Sequence, residues 1–269
     1  MLLSTILTSY NTHDITAVHV REIMRFSVKP DEIIVVDDAG DPGLRDMLYD
    51  LKRPIPVTYA RVHQDILWNY TGARNLGIWL SRGKYLALED SDHIPNPNFY
   101  PKAIEVLDNN SSCIHKVTSG RRQKIKMEDL PKPLEEWKSC GSRPKSIDTG
   151  MYRRSSIIAA KSFNEDYAGF YGWGAQDMNT RLRKITDIDK CSKDYIGYYD
   201  EAFSCIALRG LSYFVVCQHE NDGLERRATH CNRKIYKRAK KRLAETDIFT
   251  HSNGILNFDY SVEVMEPNL

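Results

Sequence analysis

The chain of 269 residues is long enough to bury a sizeable core, as one large domain or two small ones. Its 41% hydrophobic and 10% aromatic content suits a globular protein, and no run approaches the roughly 18 apolar residues of a membrane-spanning helix. Six cysteines (113, 140, 191, 205, 217, 231) show neither paired metal-type spacing nor a small-scaffold pattern, which excludes a disulfide-stapled mini-domain and points to reduced thiols. The net charge of +2 decides little, but nine Lys or Arg fall between Arg226 and Arg242, and five more between Lys116 and Lys126.

In chain order, the N-terminal half alternates strand and helix signals. Leu3–Thr8 reads as a strand that begins too early to leave room for a leader, so a cytoplasmic protein is expected, at most peripheral to a membrane. Asp14 is the expected cap of a helix running to about Phe26. Glu32–Val36 is a near-continuous β-branched run, as in a strand covered on both faces, and it ends in the turn sequence Asp37-Asp38-Ala39-Gly40. A strand near Val57–Ala60, a helix near Gly72–Ser81, a strand at Tyr85–Leu88 and a helix near Asn98–Leu107 follow. Repeated β-α units of this length predict an α/β fold with a mostly parallel sheet and helices on both faces. Residues 119–146 read as a loop or insertion rich in Lys, Arg, Pro and Ser. Next come a strand near Thr149–Arg153 followed by a helix, a second helix running from the Gly169–Asp177 segment to about Ile185, and a final apolar strand, Leu211–Cys217.

Ligands in such sheets sit beyond the carboxyl ends of the strands, and Asp37, Asp38, Asp90 and Asp92 all lie there. Glu89-Asp90-Ser91-Asp92 places three carboxylates within four positions at a strand end. Such a cluster is costly unless a cation compensates it, and a divalent ion on a diphosphate would do so through hard oxygen ligands. An exposed Asp-rich turn before Pro95 is the plainer alternative. Asp37 and Asp38 are candidates for hydrogen bonds to a base or ribose, or else turn formers bonding their own backbone. Arg74, opening an amphipathic helix among small residues, suits pairing with a diphosphate or with one of the aspartates. Gly172-Trp173-Gly174-Ala175-Gln176-Asp177 combines a tight turn, a flat aromatic face for a sugar ring, and an Asp at a helix start where the dipole keeps it ionised. That is what a general base for a sugar hydroxyl requires; a core Trp beside a capping Asp is the alternative.

Taken as an ordered set, Thr8–Asn11, Ile33–Asp38, Ala73–Ile78 and Gly83–Asp92 resemble the N-terminal half of family 2 type glycosyltransferases with the GT-A fold. The resemblance implies an Asp-x-Asp motif in which Asp92 binds manganese (or magnesium) and Asp90 faces the ribose or the metal. It also implies that Ser9, Tyr10, Asp37, Asp38, Arg74, Asp90 and Ser91 contact the nucleotide sugar. His93 stands where many relatives carry another acid, and Glu89 is a polar intruder at a usually apolar position. Tyr171–Asp177 resembles the Gly-Trp-Gly-x-Glu-Asp signature of the galactosyltransferase and N-acetylgalactosaminyltransferase branch. There the Asp is the catalytic base, so Asp177 takes that role, with Trp173, Gly174 and Gln176 at the acceptor and Gln176 replacing the branch's Glu. In that branch a histidine after the last core strand completes the metal site, which here is His219.

The resulting expectation is an inverting, metal-dependent enzyme moving a hexose or N-acetylhexosamine from a UDP-sugar to a glycan or glycoconjugate hydroxyl. Residues 1–222 would form the catalytic domain, with 1–105 binding the nucleotide sugar and 106–222 the acceptor, and 223–269 a basic helical extension. The Arg226–Arg242 cations would face an anionic membrane surface, nucleic acid or solvent alone. A transferase acting on modified DNA bases and an inactive sugar-nucleotide-binding module are the competing classes.

Overall fold

The computed structural model describes residues 2–109, 117–143, 149–169, 171–185, 206–216, 232–241 and 256–268. Strands β1 (Leu3–Ser9), β2 (Glu32–Asp37), β3 (Val57–Val62) and β4 (Tyr85–Asp90) form a parallel block in the order β3-β2-β1-β4. Helices α1 (His13–Arg25), α2 (Leu44–Tyr49), α3 (Tyr70–Leu80) and α4 (Phe99–Asn109) alternate with these strands. The pleat sends Leu3, Leu7, Ile33, Val35, Tyr85 and Ala87 into one core with α1, α2 and α4. Ile6, Ile34, Val36, Leu86 and Leu88 enter the other, beneath α3. Two covered faces explain why β2 is buried at every position. Gly77 brings α3 against β1, since a Cβ there would meet Ile6 Cγ2 at 2.3 Å.

The second half joins this block mainly in antiparallel fashion. β5 (His93–Pro95), β6 (Val117–Ile125), β7 (Ser142–Arg143), β8 (Gly150–Arg153), β9 (Ile206–Val216) and β10 (Tyr260–Met265) complete a ten-stranded mixed sheet. The order is β10-β3-β2-β1-β4-β8-β6-β9-β5, with β7 on β6. Helix α5 (Arg154–Ala159) follows β8, and α6 (Gly174–Ile185) packs Met178 and Leu182 into the α3-side core.

Three expectations change. Asp14 lies in the first turn of α1 and Thr12 occupies the cap position, its hydroxyl turned to Ser9, Thr16 and Ser91. The segment read as a loop over 119–146 contains β6, two 3₁₀ turns and β7, and it buries Ile125, Leu130 and Trp137 against Ile15 and Ile94. The polar stretch Ser119–Lys124 hides that strand from a hydrophobicity reading, whereas pairing with β7, β8 and β9 supplies its backbone partners. The C-terminal segment read as helical returns to the sheet, where β10 pairs antiparallel with β3 from Tyr260↔Val62 to Met265↔Val57. Among the cysteines, 113, 191, 205, 217 and 231 lie outside the described residues.

Candidate active site

Parallel register sets the first part of the site. Ser9 lies opposite Asp37 and Thr8 opposite Asp90, so β1, β2 and β4 end side by side at one sheet edge. The adjacent acids of β2 then diverge. Asp37 is held by Tyr59 Oη at 2.7 Å, by the Arg61 guanidinium and by the Gly40 amide at 3.0 Å. Its carboxylate is thus occupied in fixing the turn, as the backbone-bonding alternative had it. Asp38 accepts a hydrogen bond at Oδ1 from Asn69 Nδ2 at 2.9 Å. Burial pushes its carboxyl up to about 7; the Asn69 bond opposes this, while the Asp37 and Asp65 charges add to it. Tyr10 is half exposed at this mouth, and Ser9 is buried with its hydroxyl on Thr12 and Thr16.

The acid run ends β4. Arg74, wholly buried, donates from Nη2 to Asp90 Oδ1 at 2.7 Å and lies 5.2 Å over the Tyr70 ring. It therefore pairs with an aspartate, one of the two partners open to it. Thr149 donates to Asp90 Oδ2 at 3.1 Å. Burial raises the Asp90 carboxyl, but the Arg74 charge, His93 and the Thr149 hydroxyl together outweigh it and hold the group below the usual range. Asp92 Oδ1 lies 2.5 Å from His93 Nδ1, which is 3.6 Å from Asp90 Oδ2. One ligand atom each from Asp90, Asp92 and His93 fall within 4.8 Å of one another. Two carboxylates and an imidazole form a mixed O/N donor set able to hold a divalent cation such as manganese. β5 presents His93 opposite Val215 of β9, so the chain leaves β9 beside this cluster. His219, further along, lies outside the described residues, as do His230 and His251.

The other half is carried by α6. Trp173, at φ +71°, occupies the position before the helix, and its carbonyl accepts from the Asp177 amide at 2.9 Å. Gly174 permits a close crossing, since a Cβ there would meet Thr71 Cγ2 of α3 at 2.6 Å. Asp177 is buried, and Arg181 one turn later donates to its Oδ2 from Nε at 2.9 Å, with Nη2 at 2.8 Å. Arg181 is itself locked by the carbonyls of Ala160 and Ser162. Burial and the neighbouring Asp177 charge push the Tyr167 phenol well up. Gln176 is half-buried on the adjoining face.

The open aromatic face expected of Trp173 is occupied. Tyr236 stacks on it at 4.9 Å between centroids, and the Arg233 guanidinium lies 5.9 Å from the ring. Both belong to a helix at 232–241, which Asn232 fastens to the carbonyls of Tyr167 and Gly172 at 3.1 and 2.9 Å. Asn232, Ile235, Tyr236 and Ala239 turn inward while Arg233, Lys234, Lys237, Arg238, Lys240 and Lys241 are exposed. The basic residues, which the sequence spread over every face, thus leave one inward stripe. The exposed aromatic pair at this rim is Trp68 and Tyr171, whose rings meet edge-on at 4.7 Å.

Helix α3 links the parts: Asn69 before it reaches Asp38, Thr71 meets Gly174, Arg74 holds Asp90, and Asn75 bonds the Phe163 backbone. Sequence reasoning missed His93 as a potential ligand, along with Thr149 and Arg181. Only the adjacency of His93 to Asp92 at a strand end carried a signal.

Comparisons with known proteins agree with this architecture. Residues 4–162, more than half of the chain, match the family description "Glycosyl transferase family 2". Over 115 residues the chain is 27% identical to the chondroitin synthase of Escherichia coli, a match that covers 42% of this chain and 17% of that protein. Among solved structures, S. aureus TarS 1-349 in complex with UDP-GlcNAc aligns with a TM-score of 0.59 at 14% identity, over 82% of this chain and 60% of that one. The mannosyltransferase PcManGT from Pyrobaculum calidifontis, in complex with GDP-Man and Mn2+, aligns with a TM-score of 0.50 at 13% identity, over 93% and 65%. At these identities the two structures speak for the fold, which is GT-A. With its sheet edge of aspartates and a family match over more than half of its length, the chain belongs to glycosyl transferase family 2.

Proposed function

We propose that this protein is a metal-dependent, inverting glycosyltransferase that moves a hexose or N-acetylhexosamine from a UDP-sugar to a hydroxyl of a glycan or glycoconjugate. The observation that carries the reading is the Asp90, Asp92 and His93 cluster at the edge where β1, β2 and β4 end. Asp92, Asp90 and His93 would hold manganese or magnesium, with His219 as a further ligand by likeness to the galactosyltransferase branch. Bound there, the cation would offset the charge growing on the diphosphate leaving group. Asp38, with Tyr10 beside it, is the acceptor for the uracil imide. The UDP-GlcNAc complex of TarS and the GDP-Man and Mn2+ complex of PcManGT support donor and cofactor classes of this kind.

Asp177 takes the proton from the acceptor hydroxyl as that oxygen attacks the anomeric carbon. Arg181 keeps the carboxylate oriented and balances its charge in a buried place. Reaction through a single carboxylate base, without a covalent intermediate, accords with inversion. Gln176 and the Trp68–Tyr171 pair line the acceptor side. The outward cations of 232–241 give that side a positive rim, suited to a glycan carried on an anionic surface.

A panel of nucleotide sugars with manganese, read by release of the nucleoside diphosphate, tests the donor class. Asp177→Asn tests the base: transfer should fall by at least about 100-fold while UDP affinity stays near wild type, and the melting temperature drops because Arg181 loses its charge partner. Normal turnover by this variant would sink the assignment.

A further inference from the structure

The pleat of β4 turns Glu89 away from the donor side and into the core shared by α1 and α4, among Ala87, Val20 and Tyr100. Glu89 is wholly buried, where an unpaired carboxylate is strongly disfavoured and an apolar residue would pack without cost. A closed network meets its needs. Tyr100 Oη donates to Glu89 Oε1 at 3.1 Å and accepts from Thr5 Oγ1 at 3.2 Å. His19 Nε2, on α1 and also wholly buried, lies 2.8 Å from Glu89 Oε2. The other ring nitrogen, Nδ1, is 2.9 Å from the carbonyl oxygen of Ser91. A carbonyl only accepts, so Nδ1 carries a hydrogen, and the Nε2–Oε2 contact holds a second one between imidazole and carboxyl. From the N-terminal end of α1, Thr12 Oγ1 meets the Ser91 hydroxyl at 3.1 Å. Ser91, between Asp90 and Asp92, is thus gripped from below by both its carbonyl and its hydroxyl.

We propose that His19 and Glu89 are positioning residues for the divalent-cation site. Glu89 fixes the ring and tautomer of His19, His19 fixes the Ser91 carbonyl, and the clamped peptide sets the spacing of the Asp90 and Asp92 carboxylates before any ion arrives. Carboxylate–histidine pairs behind a metal site orient its ligands in this way. Here the pair grips the backbone between two ligands and touches neither ligand side chain. The inference rests on the metal-dependent reading of the preceding section.

The test is manganese affinity of the full chain in the presence of UDP, read from the free-ion paramagnetic resonance signal. Replacing both partners of a buried pair by apolar residues often leaves stability unchanged. His19→Leu/Glu89→Leu should therefore melt near wild type and bind UDP without metal as wild type does, yet bind manganese about 10- to 100-fold more weakly. His19→Asn/Glu89→Leu places an amide nitrogen where Nδ1 stood and should recover most of that loss. His19→Gln/Glu89→Leu, whose amide reaches the place of Nε2, should not. A folded double-leucine variant with wild-type manganese affinity overturns the proposal. If that variant does not fold, equal affinities of the Asn and Gln variants overturn it. Wild-type protein that binds UDP but no manganese would instead strike the metal-dependent reading, and this inference with it.

Discussion

Asp37 and Asp38 show how much one position changes a side chain's chemistry. Both end the same strand, yet Asp37 is tied by Tyr59, Arg61 and the Gly40 amide, whereas Asp38 bonds Asn69. Burial raises Asp38 from an ordinary 3.8 to about 7. The folded state therefore holds this proton to higher pH than the unfolded state does. Stability from this group is greatest in acid, falls as pH climbs from about 4 and is lost once pH passes about 7. Asp38→Asn preserves an oxygen for Asn69 and removes the titration. The variant should gain stability relative to wild type at pH 8 but not at pH 4, by an amount on the order of a few kcal/mol. Urea unfolding midpoints at the two values check this, and parallel pH profiles for both proteins would rule it out. Asp90 and Asp92 were legible because they are neighbours in sequence; that Arg74 takes Asp90 depends on α3 packing across β1 and β2.

At the scale of elements, α3 joins the acid cluster at the end of β4 to helix α6. Its contact with α6 depends on Gly174, where a methyl group would drive into Thr71 Cγ2. Gly174→Ala should cost about 1–3 kcal/mol. Because the displaced helix carries Asp177, kcat should fall by up to about 100-fold with little change in UDP affinity. Thr71→Ser deletes the obstructing methyl, so the double variant should regain most of the activity. Failure of that rescue, measured by steady-state kinetics, would mean that Gly174 matters for another reason. The Gly-Trp-Gly-x-x-Asp run marked this site in sequence, but not that the Trp173 face would be covered by Tyr236, more than 60 positions away. Strand β6 was illegible for a related reason: its Ser, Arg, Gln and Lys residues are tolerated because neighbouring strands supply the hydrogen bonds.

Across the whole molecule, the last described segment closes the first half. β10 pairs with β3 along its length, Glu263 receives Arg45 at 2.7 Å, and Phe258 and Met265 enter the two cores. Truncation after residue 255 would strip the β3 edge and leave a row of unpaired backbone groups beside buried Val57, Ala60 and Val62. Such a chain should melt several degrees lower and scatter light as oligomers at micromolar concentration. A monodisperse truncated protein with unchanged melting temperature would show that β10 contributes little.

Periodicity alone determined the β-α alternation, because strands buried on both faces must be continuously apolar and their connecting helices amphipathic. It also determined that carboxylates gather at the strand ends, since those positions are adjacent in sequence. Tertiary structure decided the partners: Asn69 on Asp38, Arg74 and His93 on Asp90, Arg181 on Asp177, and His19 with Tyr100 on the misplaced-looking Glu89. Partner choice depends on which helix face meets which strand end. Packing of the folded chain sets that geometry, and local sequence does not encode it.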